Sequence, residues 1–131
     1  MPDYDRLVDD ARRARKNALA PYSTFRVGAA LVSRRGEVYT GCNIESAAYG
    51  LTMCAERVAL FTALSAGVRE FEGLAVVADT PTPTPPCGAC RQLLWEHCGD
   101  IWVILANAAD ITGRHTMREL LPVPFDGRLL R

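Results

Sequence analysis

This chain has no excess of charge of either sign. Lys plus Arg total 15, and so do Asp plus Glu, over 131 residues. A protein that tracks nucleic-acid phosphates normally needs a basic face, so the balance argues against a nucleic-acid partner. Long apolar runs are also missing. The stretch at 101–106, "IWVILA", falls far short of the ~20 residues that span a bilayer, so no membrane partner is expected. The opening "MPDYDRLVDD" is acidic and lacks the apolar core of a secretory signal. A cytoplasmic location is therefore the expectation. Internal repeats and disordered tracts are absent too, which fits a single domain over 1–131. A disulfide framework is excluded by arithmetic and compartment. The cysteines number five, Cys42, Cys54, Cys87, Cys90 and Cys98, and clustered thiols in a reducing compartment point to metal or catalysis.

The elements that are present alternate in type. Residues 4–19 read as a helix, with Leu7, Ala11, Ala14 and Ala18 on one face, Asp3 as cap and Pro21 as stop. Arg12, Arg13, Arg15 and Lys16 lie beside Asp9 and Asp10 and read as a solvated face. Strands are expected at 25–33 and 37–44, joined by a turn at Arg34–Gly36. A helix at 53–66 ends at Gly67. Residues 74–79 suit a buried central strand. The four prolines of "TPTPTPP" (80–86) exclude helix and interior strand. A helix at 87–97, a strand at 101–107, a short edge strand at 114–117 and a last helical turn at 117–121 complete the order. The implied class is α/β, a mixed sheet covered by helices on both faces.

Two helix starts carry the chemistry. One holds Cys54-Ala55-Glu56, the other Pro86-Cys87-Gly88-Ala89-Cys90. The intervening helix and strand return the chain to the same sheet edge, where α/β sheets form their sites. Helix N-termini lower thiol pKa values. Three thiolates can hold one zinc ion and leave an open position for water, the mark of a catalytic rather than structural site. Cys87 and Cys90, at i and i+3, can face one metal, and Pro86 fixes the entry to their helix. Three thiolates on a divalent cation make a poor Lewis acid. Arg57 or Arg91, each directly after a key residue, is expected to donate hydrogen bonds to the sulfurs. Glu56 can take a proton from water activated at the metal.

The pattern of a first ligand, one residue, Glu, and later Pro-Cys-x-x-Cys is the zinc deaminase signature. "CAER" with "PCGACRQ" resembles the small cytidine deaminases. So do "APYSTFRVGAALV" (20–32), "GCNIESAAYGLTMCAERVALF" (41–61) and "ELLPVPF" (119–125). The resemblance implies a three-layer α/β/α sandwich around a five-stranded mixed sheet, a homotetramer, and one Zn2+ per subunit. It implies Cys54, Cys87 and Cys90 as ligands and Glu56 as proton shuttle. Asn43 and Glu45 would bind the ribose hydroxyls, and Phe25 would lie against the pyrimidine. Tyr49 and Phe125 match aromatics that approach a neighbouring subunit's site. The Ala55 and Cys87 amides would serve as backbone donors, and Gln92 would orient the second helix. The implied reaction is hydrolytic deamination of cytidine and deoxycytidine to uridine and deoxyuridine, with release of ammonia.

Three rivals stay open at this level. Deaminases of aminonucleosides such as blasticidin S share "CAE" and a Pro-Cys-x-x-Cys. A nucleic-acid deaminase would need a basic channel and usually has His as first ligand. A structural zinc clip would recruit Cys42 or Cys98 as fourth ligand. His97 and His115 read as structural.

Overall fold

Asp3 starts the first element. Its carboxylate accepts from the Arg6 amide at 3.2 Å and caps α1, Tyr4–Arg15. A computed structural model describes residues 3–130. The helix stops at Arg15, earlier than the expected 19. Lys16, Asn17 and Ala18 each donate to the carbonyl three residues back, so the chain tightens into turns before Pro21 can act. The packed face is Leu7, Val8 and Ala11, while Ala14 is only half-buried. Arg12 pairs with Asp9 and Arg13 with Asp10, but the face is only partly solvated: Arg12 and Asp10 are half-buried, and Arg12 Nε also donates to the Asn107 carbonyl at 3.1 Å.

Five strands follow: β1 Val27–Ser33, β2 Val38–Cys42, β3 Phe71–Ala78, β4 Trp102–Ala106 and β5 Ile111–Thr116. Their spatial order is β2-β1-β3-β4-β5. The β3–β4 pair is parallel and the other three are antiparallel, so the sheet is mixed. The Arg34–Gly36 turn forms as expected, with Gly36 at φ 89°, a conformation glycine adopts without strain. The remaining helices are α2 Ala55–Ser65, α3 Gly88–Cys98 and α4 Met117–Leu120. Among the described residues, no helix is long and apolar enough to cross a membrane.

The period of two along each strand builds two cores. Ala29, Leu31, Leu74, Val76, Val103 and Leu105 face α2 and α3. Ala30, Val32, Ala75, Val77 and Ile104 face α1. That burial on both faces explains why β1 and β3 read as nearly continuous apolar runs.

Topology then fixes where the site must form. β2 and β3 are both antiparallel to β1, so they run the same way and end at the same sheet edge. α2 follows β2 and α3 follows β3, so both helices begin at that edge. Gly41 lets α2 approach closely. A Cβ there would lie 2.5 Å from the Ala59 nitrogen and 2.6 Å from the Ala55 oxygen, both backbone atoms. Gly41→Ala is therefore expected to destabilise the fold by about 3 kcal/mol, read from the midpoint shift in chemical denaturation.

Candidate metal centre

Cys54 occupies the N-cap of α2 and Cys87 the N-cap of α3, both in extended backbone. Cys90 lies in the first turn of α3 and is 0% exposed. The three Sγ atoms lie within 4.8 Å of one another, a grouping joined by no other His, Cys, Asp or Glu among the described residues. Two of the separations are 3.9 Å (Cys54–Cys87) and 3.5 Å (Cys87–Cys90). Thiolates at ~2.3 Å in a tetrahedral site would stand ~3.8 Å apart. The donor set therefore fits zinc in chemistry and in spacing. Cys42 and Cys98 stand outside it, half-buried, and burial raises both thiol pKa values, Cys98 to about 12. The structural clip with either as fourth ligand has no support. His97 is exposed, and His115 faces Glu119 at 3.7 Å.

The loop that delivers Cys87 is braced from within. The Thr80 hydroxyl donates to the Thr82 carbonyl at 2.7 Å and contacts the Thr84 hydroxyl at 2.7 Å. The Asn107 amide donates to the Thr80 carbonyl at 3.2 Å, and Pro86 is fully buried.

Of the two arginines, Arg57 is the one that reaches a thiol. Its Nη2 donates to Cys54 Sγ at 3.2 Å, and its Nε is buried with no partner. A guanidinium held against a thiol in this way suits an anionic sulfur group. Arg91 behaves differently. It donates from Nε to the Pro86 carbonyl at 2.8 Å and from Nη1 to the Leu120 carbonyl at 3.0 Å. It braces backbone rather than sulfur.

Glu56 is 6% exposed, although it sits in a first helical turn. The buried stripe of α2 is Ala55, Glu56, Ala59, Leu60 and Ala63, so Glu56 lies one turn below Leu60 on the packed face. Burial pushes its pKa up to about 7, and the Cys54 thiolate adds to the rise. Cys54 is pulled down to about 5, first by the hydrogen bond from the Cys90 thiol and then by Arg57. Cys90 is raised, first by the hydrogen bond its thiol gives the Cys54 thiolate and then by burial.

Of the residues expected on the substrate side, Asn43 and Glu45 lie on the segment that pairs with Met53, just before Cys54. Ile44 and Met53 exchange two backbone hydrogen bonds at 3.0 and 2.9 Å, which lays Asn43–Glu45 against the entry to α2. Asn43 is buried. Its Oδ1 accepts from the Val27 amide at 2.9 Å and its Nδ2 donates to the Phe25 carbonyl at 2.7 Å. One N–H and further acceptor capacity remain free for a ligand. The Glu45 carboxylate accepts from the Tyr22 and Ser23 amides at 3.0 and 3.1 Å and from the Ser23 hydroxyl. These bonds, the Ser23 hydroxyl foremost, lower its pKa. Tyr22, Ser23, Glu45, Tyr49 and Thr52 line an open cavity of about 360 Å³. Phe25 is 42% exposed, Tyr49 76% and Phe125 53%, so all three aromatics lie open on a single chain. Gln92 donates to the Phe125 carbonyl at 2.6 Å, so it contacts the C-terminal segment and not the metal cluster.

Tyr22 and Ser23 belong to the Tyr-Ser-x-Phe segment, which favours a free nucleoside, but the sequence does not show their contact with Glu45. Ser23 leads into Thr24, a β-branched residue held at φ 59°. The Thr24 amide closes on the Ala20 carbonyl at 3.0 Å, a tight turn that aims two amides at Glu45.

The family model described as the cytidine and deoxycytidylate deaminase zinc-binding region matches residues 1–106. The cytidine deaminase of Sporosarcina psychrophila is 50% identical over 124 residues, covering 94% of this chain and 91% of that protein. That of Halalkalibacterium halodurans is 52% identical and covers 94% of each. The crystal structure of the Burkholderia pseudomallei cytidine deaminase superposes with a TM-score of 0.88 at 48% identity, over 95% of this chain and 100% of that one. A blasticidin-S deaminase of Bacillus cereus is more distant, 28% identical over 107 residues. The chain belongs to the cytidine and deoxycytidylate deaminase family.

Proposed function

We propose that this protein hydrolyses cytidine and deoxycytidine to uridine and deoxyuridine and releases ammonia. The observation that carries the reading is a buried carboxylate, Glu56, two residues from Cys54 in a three-thiol cluster. Cys54, Cys87 and Cys90 would hold one zinc ion. When bound, zinc supplies the Lewis acidity that makes water a nucleophile near neutral pH. Glu56 takes a proton from the attacking water and delivers it to ring nitrogen 3. It then helps protonate the amine at carbon 4, and ammonia departs. Its raised pKa suits a group that must both accept and return a proton near pH 7. The Ala55 and Cys87 amides, at the starts of α2 and α3, would donate to charge developing on the ring.

On the substrate side, Phe25 would lie against the pyrimidine, and Asn43 and Glu45 would read the ribose diol. Arg57 would withdraw charge from the sulfurs. Arg57→Gln is expected to keep zinc bound and to lower turnover by roughly 10- to 100-fold, measured on protein of known zinc content.

We assign the protein to a homotetramer in the cytoplasm, whose reducing poise keeps zinc-binding thiols free. Exposed Tyr49, Leu51, Val123 and Phe125 support association, since large apolar residues so open on one chain suit an interface. In a tetramer, Tyr49 and Phe125 would reach a neighbour's site. Light scattering should give four chain masses.

The deciding assay is ammonia and uridine formation by zinc-loaded protein on cytidine, deoxycytidine and blasticidin S in parallel. Turnover of the two pyrimidine nucleosides supports the reading. Turnover of blasticidin S alone overturns it in favour of the aminonucleoside rival.

A further inference from the structure

Cys87 is the most exposed of the three thiols that would hold zinc. Cys90 is sealed inside α3, and Cys54 is held by Arg57. Cys87 instead hangs at the end of a proline-rich loop, and its position depends on what fixes the Pro86–Cys87 peptide. Arg91 does this. Its Nε binds the Pro86 carbonyl at 2.8 Å, the peptide whose nitrogen belongs to Cys87. Its amide also makes the first helical bond to the Cys87 carbonyl at 2.9 Å.

The other arm of the same guanidinium reaches the Leu120 carbonyl at 3.0 Å, where α4 ends. α4 is itself anchored: the Met117 amide donates to the Ile101 carbonyl at 2.9 Å, and Thr116 and Glu119 form a capping box. Farther along α3 the C-terminal segment is fastened twice more. Trp95 Nε1 donates to Asp126 at 3.3 Å, and the Arg118 guanidinium lies over the Trp95 ring at 4.6 Å.

We propose that Arg91 is a positioning residue that ties the Cys87-bearing peptide to the C-terminal segment, so that zinc retention depends on that segment. The proposal rests on the ligand reading above. A planar fork can satisfy two carbonyls at once, whereas the point-like lysine ammonium satisfies one at a time, so lysine should not substitute.

The test is the rate at which a colorimetric chelator, 4-(2-pyridylazo)resorcinol, strips zinc from the loaded protein. Arg91→Gln and Arg91→Lys should both release zinc roughly tenfold faster than the wild type, with unchanged melting temperature in saturating zinc. Thr116→Ala, which uncaps α4, should speed release roughly threefold in the wild-type background and add nothing to Arg91→Gln. Wild-type release rates in either Arg91 variant overturn the proposal, as does an additive effect of Thr116→Ala. Failure of both Arg91 variants to fold also overturns it, because Arg91 would then support the whole fold and not one ligand. Wild-type protein that binds no zinc contradicts the ligand reading itself, an outcome distinct from zinc-replete protein indifferent to Arg91.

Discussion

Glu56→Gln is expected to keep a full complement of zinc and to lose cytidine turnover by about 10²- to 10⁴-fold. The metal should stay because the donor set is three thiols and contains no carboxylate. The rate should fall because an amide cannot take a proton from water and return it to the base. Packing should survive: glutamine has the shape of glutamate and fills the same place on the buried stripe of α2. The variant should melt no lower than the wild type, since it removes a carboxyl that burial and the neighbouring Cys54 thiolate make costly to ionise. Steady-state kinetics, zinc content and a melting curve on one preparation separate these effects. Near-normal turnover would show that another group moves the proton.

The second large effect is expected at Cys90. Cys90→Ser should weaken zinc binding by at least about 10²-fold, because losing a metal bond costs more than losing a contact to a ligand. Turnover should fall with the metal. Cys90 is completely buried, so the shorter serine also disturbs its packing, and a lower melting temperature alone would not single out zinc. Melting with and without chelator does. Zinc at ~100-fold over its Kd stabilises the native state by about 2.7 kcal/mol. The chelator should therefore lower the wild-type melting temperature and leave Cys90→Ser unmoved. Equal shifts in both proteins would remove Cys90 from the ligand set.

The site was legible in the sequence because its spacing is local. Cys54 and Glu56 share one helix start, and Cys87 and Cys90 share one helical turn. That the two starts meet follows from strand directions, which the alternation of elements already implied. Burial was harder to see. Glu56 reads in isolation as an acid in a first turn, and only the packing of Ala55, Ala59 and Ala63 against the sheet shows it sealed. α1 ends before its pattern suggests because Ala14 and Ala18 keep the helical spacing, while the i to i−3 bonds that end the helix leave no mark on the pattern. Arg57 and Arg91 occupy similar sequence contexts, yet one reaches sulfur and the other reaches carbonyls. That difference is set by the long-range approach of Leu120, which no local pattern encodes. The pairing of Glu45 with Ser23 is likewise a contact between distant segments.

The most direct test of the central claim is zinc-edge X-ray absorption on the wild-type protein as purified. Three sulfur neighbours at ~2.3 Å and one lighter neighbour at ~2.0 Å are expected, the pattern of a metal with a position open to water. Four sulfur neighbours, with no lighter atom, would describe a closed structural site and contradict the account.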